Sequence, residues 1–265
     1  MGGEEKTSTT AFEEEITRGV SLLRGDPKTA IRKLSGPMIV AMLLLAVYNL
    51  ADAIWVAGLG SDELAAVGFV MPVFMVLIGL SNGLGAGATS VVSRRIGARD
   101  KEGADSAASH AILIGLVIAL LLTLPLTLNI RSIAEVLGAG SVAGLAAEYG
   151  SIVFLGTIFI FFVQISYAIL RSEGDTTRTM YAMGASSVLN IVLDPILIYG
   201  AGMGVAGAAA ATVISVATVS IVIFYWFNVK KDTYVTLSFR KLKPSRRVLS
   251  DILGVGLPAS LEALL

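Results

Sequence analysis

Asp52 and Asp194 stand inside long apolar runs of the chain. A carboxylate in hydrocarbon costs at least ~2.5–3.5 kcal/mol on insertion scales, and it is retained where it serves an ion path, a proton relay or a substrate site. Each acid precedes by six residues the glycine that ends its run, Gly58 or Gly200. At 1.5 Å per helical residue both lie roughly 9 Å below the same membrane surface. Two carboxylates at one depth on different helices can share a proton or hold Na⁺. Asn190 lies one helical turn from Asp194 on the same face, with Ser186 a further turn along, and Tyr48 stands in the same relation to Asp52. Thr212 falls roughly 13 Å into the sixth apolar run, near the level of Asn190. Carboxylate, amide and hydroxyl oxygens suit a hard cation. Asp52, Asn190, Asp194 and Thr212 are therefore the candidate Na⁺ ligands or proton-coupling groups, with Tyr48 and Ser186 in support. The plainer role for each polar residue is an interhelical hydrogen bond, averaging about 0.6 kcal/mol in membranes. Pro195 follows Asp194 and deprives the Ile191 carbonyl of its helical donor, which makes it a hinge or a fixed kink.

These acids must be positioned by membrane helices. The 265 residues are 55% hydrophobic and 15% charged, with a mean hydropathy of +0.79. Soluble domains carry nearer a quarter charged residues. Zero net charge gives no basis for a nucleic-acid partner. Without cysteine and with one histidine, disulfides, thiol catalysis and a zinc centre are excluded. No other cofactor is indicated, and the acidic start lacks a secretory signal.

Six segments are long and apolar enough to cross a bilayer: 34–57, 65–92, 110–129, 150–170, 180–200 and 203–227. They read as helices, since barrel strands are shorter and alternate. Lys and Arg cluster before the first span, after the second, after the fourth and after the sixth; Arg131 alone falls in another loop. That alternation is the positive-inside pattern and places the N-terminus in the cytoplasm of a multi-pass cell-membrane protein. The expected organisation is a cytoplasmic, amphipathic N-terminal segment over 1–30, a six-helix lobe over 31–228, a basic cytoplasmic inter-lobe linker over 229–247 and the start of a seventh helix over 248–265. Val255-Gly256-Leu257-Pro258 echoes Leu34-Ser35-Gly36-Pro37, each after a basic approach. The echo points to a second six-helix repeat and a missing C-terminal lobe, as in transporters built from parallel repeats.

Gly79, Gly83 and Gly87 form a small-residue face for close helix packing, with Asn82 beside it as a candidate cavity residue. His110 reads as an interfacial, solvated histidine without a role. Glu262 is a third candidate membrane acid.

The chain resembles the multidrug and toxic compound extrusion (MATE) family of cation-coupled antiporters. The resemblance is carried by RGDPKTAIRKLSGPMIV (Arg24 to Val40), YNLADAIWVAGLGSDELAAVGF (Tyr48 to Phe69) and GLGAGATSVVSRRIGARD (Gly83 to Asp100), then by LRSEGDTTRTM (Leu170 to Met180) and NIVLDPILI (Asn190 to Ile198). It implies an all-α, polytopic membrane protein: the six-helix N-terminal lobe of a twelve-helix transporter plus the start of a seventh helix. It also implies export of small amphipathic or cationic drugs in exchange for Na⁺ or H⁺. In archaeal-type members the coupling acids match Asp52 and Asp194, and the associated positions match Asn190, Thr212, Tyr48 and Tyr149. The alternative is a flippase for lipid-linked oligosaccharides, from a related superfamily branch. An enzymatic reading fails on motif: intramembrane aspartyl proteases resemble one another in Tyr-Asp and Gly-x-Gly-Asp, whereas here the acids follow Ala51 and Leu193.

Overall fold

Four long helices begin on the basic side of the molecule, and each has a side-chain cap. Asp26 accepts from the Thr29 N–H (2.9 Å), Asp100 from Gly103 (2.8 Å), Asp175 from Arg178 (3.0 Å) and Ser245 from Val248 (3.4 Å). Such caps satisfy amide donors that the first turn leaves open. The helices beginning on the opposite side, after Gly60, Val142 and Met203, have no side-chain cap. The computed structural model describes residues 17–230, 232–237 and 245–263. The helices are α1 (Arg18–Leu23), α2 (Pro27–Ala57), α3 (Ser61–Gly97), α4 (Lys101–Val136), α5 (Ala143–Leu155), α6 (Thr157–Ser172), α7 (Thr176–Pro195), α8 (Gly204–Tyr225) and α9 (Arg246–Glu262). Wider π-helical turns, Ile196–Gly200 and Trp226–Lys230, extend α7 and α8.

Five helical stretches are long and apolar enough to cross a membrane singly, and α5 with α6 makes a sixth span bent by 51°. The expected fourth span over 150–170 is therefore two helices that begin earlier in the chain. The bend falls at Gly156, where a Cβ would lie 2.6 Å from the Val213 side chain. The missing side chain lets α8 press into the break. Ile39, Met42, Leu43, Val47, Leu50 and Ile54 of α2, with Leu121, Leu124 and Leu128 of α4, are exposed. Lipid is the solvent that such surfaces fit.

Helix α3 is central, packed against α4, α5, α6 and α9, while α2 lies chiefly on α7, and α8 fits against α5, α6 and α7. The glycine face of α3 receives α9. A Cβ on Gly83 would sit 2.6 Å from the Gly256 carbonyl oxygen, and one on Gly256 would sit 3.1 Å from that of Gly83. Two backbones in contact leave room for hydrogen only.

The residues after α8 lie against the basic end of the bundle. Tyr234, Val235 and Leu237 are buried. Asp105 accepts from the Thr236 N–H (2.9 Å) and hydroxyl (2.9 Å), Glu173 accepts from the Val235 N–H (2.8 Å), and Lys101 donates to the Tyr234 carbonyl (2.8 Å). Linker positions 238–244 and the first part of the expected amphipathic segment, 1–16, lie outside the described residues. Within α1, Val20 is buried and Leu23 exposed. Glu262 is exposed at the end of α9.

One expectation is overturned. His110 is 3% exposed, not solvated. Its Nδ1 lies 2.7 Å from the Ser106 carbonyl, and its Nε2 accepts from the Ser245 N–H at 3.2 Å. Ser245, the N-cap of α9, donates into the ring, so the histidine ties α4 to α9.

Two outcomes test this packing. Gly87→Val places a side chain against the Ile252 carbonyl and should destabilise the protein by about 1–3 kcal/mol. Gly68→Val, where a Cβ would meet nothing within 4 Å, should not; thermal unfolding in detergent separates them. Burial raises the Glu173 carboxyl from 4.5 to about 8, opposed by the Val235 N–H. A carboxyl raised on folding contributes most below its unfolded value, and that contribution drains away as pH rises through the folded value. Stability should therefore fall by on the order of a few kcal/mol between about pH 4.5 and 8. Glu173→Gln, which keeps an acceptor for Val235, should flatten that slope; an unchanged slope would contradict it.

Candidate functional site

The packing of α2 on α7 sets the site. Asp194 is fully buried on α7 and Asp52 half-buried on α2, and the two carboxylates lie within electrostatic reach of each other. Tyr48, one turn from Asp52, approaches Thr212 of α8 and stands in the field of both acids. Tyr149 of α5, 8% exposed, stands in the electrostatic field of Asp52, Tyr48 and Asp194. Four helices thus converge on one polar cluster.

Asn190 links two of them. With its amide turned so that both ends are satisfied, it donates to Asp194 Oδ2 (2.9 Å) and accepts from the Thr212 N–H (3.1 Å). In the opposite orientation it donates only to Thr212 Oγ1, at 3.3 Å. The first arrangement is preferred because a buried carboxylate oxygen gains a donor. Asp52 Oδ1 and Asp194 Oδ1 are buried and have no hydrogen-bond partner among the described residues. Orphaned acceptors in a dry site ask for a proton or a cation. Among the described residues no three Asp, Glu or His side chains form a metal cluster, so the donors are two carboxylates with amide and hydroxyl oxygens. That set suits a hard monovalent ion better than a transition metal.

The remaining expected residues fall differently. Ser186 is half-buried a turn from Asn190 and makes no hydrogen bond to the cluster. Asn82 is exposed and accepts from Gln164 Nε2 at 3.1 Å, tying α3 to α6. By helix rise from Ser61 it sits about 20 Å nearer the basic side than the acids, so the structure does not bring it to them. Pro195 closes α7, and the chain continues in the wider π turn, with the Ala201 N–H donating to the Ile196 carbonyl at 2.8 Å. Asp194 therefore stands beside a change of helical pitch. Gly207 of α8 lies against the backbone of Leu197 and Ile198 in that turn.

Trp55 and Tyr199 are missing from the sequence reading. The Tyr199 hydroxyl donates to the Trp55 carbonyl at 2.6 Å, and the rings meet edge to face with centroids 6.2 Å apart. The contact joins α2 to the π turn just outside the two acids. Gly58 makes room for it, since a Cβ there would strike the Tyr199 hydroxyl. Aromatic residues three positions beyond Asp52 and five beyond Asp194 were the available signal.

Comparison with known proteins places the chain among transporters over most of its length. The family model described as MatE matches residues 37–196. The multidrug export protein MepA of Staphylococcus saprophyticus is 34% identical over 233 residues, covering 87% of this chain and 51% of MepA. The structure of a MOP superfamily transporter from Pyrococcus furiosus superposes with a TM-score of 0.91 at 51% identity, over 95% of this chain and 56% of that one. That transporter is described as having a binding pocket of reverse polarity that suggests a different function. A MATE structure in complex with MaD3S gives 0.91 at 50% identity, over 94% of this chain and 56% of that one. The chain spans about half the length of the curated relatives it matches.

Replacing Asn190 by Leu strips Asp194 Oδ2 of its donor and should cost about 1–3 kcal/mol of stability. Ser186→Ala should stay within about 0.5 kcal/mol of the parent. Equal losses in a thermal or denaturant unfolding series would remove Asn190 from the cluster.

Proposed function

The chain belongs to the MatE family, and on that premise we propose that it carries the ion-coupling site of a secondary antiporter exporting amphipathic or cationic drugs in exchange for Na⁺ or H⁺. The observation that carries this reading is the pair of buried, unpartnered carboxylate oxygens on α2 and α7, beside Asn190 and Thr212. Either ion offsets one of the pair's two negative charges, and Na⁺ would take its oxygens from Asp52, Asn190, Asp194 and Thr212.

The basic side faces the cytoplasm, and the N-terminus with it, by the distribution of Lys and Arg. The acids then sit near the outer surface, where an entering cation meets them first. Loading removes the repulsion between them and changes how closely α2 can lie on α7. A coupling ion drives transport only through different affinity for the two states. A charge crossing the membrane adds about 2.3 kcal/mol per 100 mV. Tyr48 and Tyr149 orient the oxygens, while Pro195 and the π turn supply a place for the outer end of α7 to yield. The C-terminal lobe would complete the drug cavity. This is transport chemistry, with no bond made or broken. The flippase alternative draws no support from relatives named as multidrug exporters.

The test is dye efflux from vesicles carrying the full-length protein, under imposed Na⁺ or pH gradients. Asp52→Asn and Asp194→Asn should each reduce gradient-driven export at least about tenfold, a loss of about 1.4 kcal/mol of coupling, with folding retained. Wild-type efflux in both variants would refute the reading. Cationic and anionic dyes run in parallel decide the substrate's charge, the point raised by the reversed pocket of the Pyrococcus furiosus transporter.

A further inference from the structure

The basic end of the lobe contains a cleft of about 1000 Å³ between α1, the start of α2, the start of α7 and the chain just after α8. Its position relative to the membrane follows from the sequence. Lys33 is the last charged residue before the apolar run of α2, and Leu34 is the first residue of that run. Lys230 is the first charged residue after the apolar run of α8. All three line the cleft, so its floor meets hydrocarbon and its rim lies among headgroups.

The charges of the lining residues do not cancel. Arg178 pairs with Asp232 (2.8 Å) and Asp175 (3.2 Å), and Lys230 pairs with the same Asp232 oxygen (2.7 Å). Lys33 is exposed and makes no ion pair among the described residues. Among the described lining residues, three cations against two carboxylates leave one positive charge, and that charge is carried by Lys33. Thr176 and Thr177 line the same cleft. The α1 wall is held close by backbone contact: a Cβ on Gly19 would lie 2.5 Å from the Glu173 carbonyl oxygen, and one on Gly174 would lie 2.6 Å from that of Gly19. The far wall includes Asp232, whose carbonyl also accepts from Arg178 at 3.1 Å.

We propose that this cleft binds the phosphate headgroup of a net-anionic membrane lipid, with Lys33 as the principal phosphate contact and the acyl chains descending past Leu34. Basic pockets between transmembrane helices at the membrane surface suit such headgroups. One lipid would bridge four separate pieces of chain. It would also brace the segment after α8 that leads to α9. The site is separate from the acid pair, so its test does not depend on transport.

The experiment is native mass spectrometry of the detergent-purified full-length protein, titrated with phosphatidylglycerol, with phosphatidylcholine and with inorganic phosphate. The wild type should retain one phosphatidylglycerol in preference to phosphatidylcholine. Lys33→Gln should weaken that binding roughly fivefold, as expected for one surface lysine, and Lys33→Arg should restore it. Lys28→Gln, on the same helix but outside the cleft, should leave it unchanged. Equal loss in the Lys28 and Lys33 variants would reduce the effect to a diffuse basic surface and overturn the proposal. Equal retention of phosphatidylcholine, or displacement of the lipid by millimolar inorganic phosphate, would also overturn it.

Discussion

Two carboxyl groups that water would solvate are held in an apolar bundle, and the organisation of the lobe follows from that constraint. Burial without a partner is costly for any polar group and far more so for a charged one. The fold spreads the burden over four helices. Asn190 supplies one donor to Asp194, Thr212 receives the other end of the amide, and two tyrosines complete the surround. One oxygen on each acid is left without a partner. A site satisfied by its own residues would have no use for an ion. On the proposed function, the two open oxygens are where a proton or a small cation would sit.

The rest of the architecture brings α2 and α7 together while leaving them able to separate. Their outer ends are joined by an aromatic contact and one hydrogen bond, Tyr199 to the Trp55 carbonyl. By contrast, α3 and α9 meet backbone to backbone over glycine and serine, a contact that tolerates no added atom. The bundle thus has a tightly packed face between α3 and α9 and a looser one around the acids. The π turn after Pro195 lies on the looser side.

Much of this was legible in the residues. Apolar length fixed the spans, because a bilayer admits few alternatives to a helix. The contact of Asn190 with Asp194 and Thr212 was legible from depth and helical face, which depend only on rise and periodicity. What escaped was tertiary. The burial of His110 goes with its bond to Ser245, 135 positions away at the start of α9, and nothing local to the histidine announces that. The bend at Gly156 comes from the pressure of Val213 on a position without a side chain. The docking of Tyr234 and Val235 rests on Asp105, Glu173 and Lys101, more than sixty positions away in the chain. Asn82 shows the converse: its type suited a cavity, but its depth and its Gln164 partner place it elsewhere.

Carboxylate infrared difference spectroscopy on the purified protein, recorded while Na⁺ is added at fixed pH and then while pH is changed without Na⁺, addresses the acid pair most directly. Asp52 and Asp194 acting as one site should give carboxylate bands that respond to at least one of the two ions. Those bands should vanish together in Asp52→Asn and in Asp194→Asn. Bands that respond to neither ion, or that persist when one acid is removed, would show two independent aspartates and contradict a shared site.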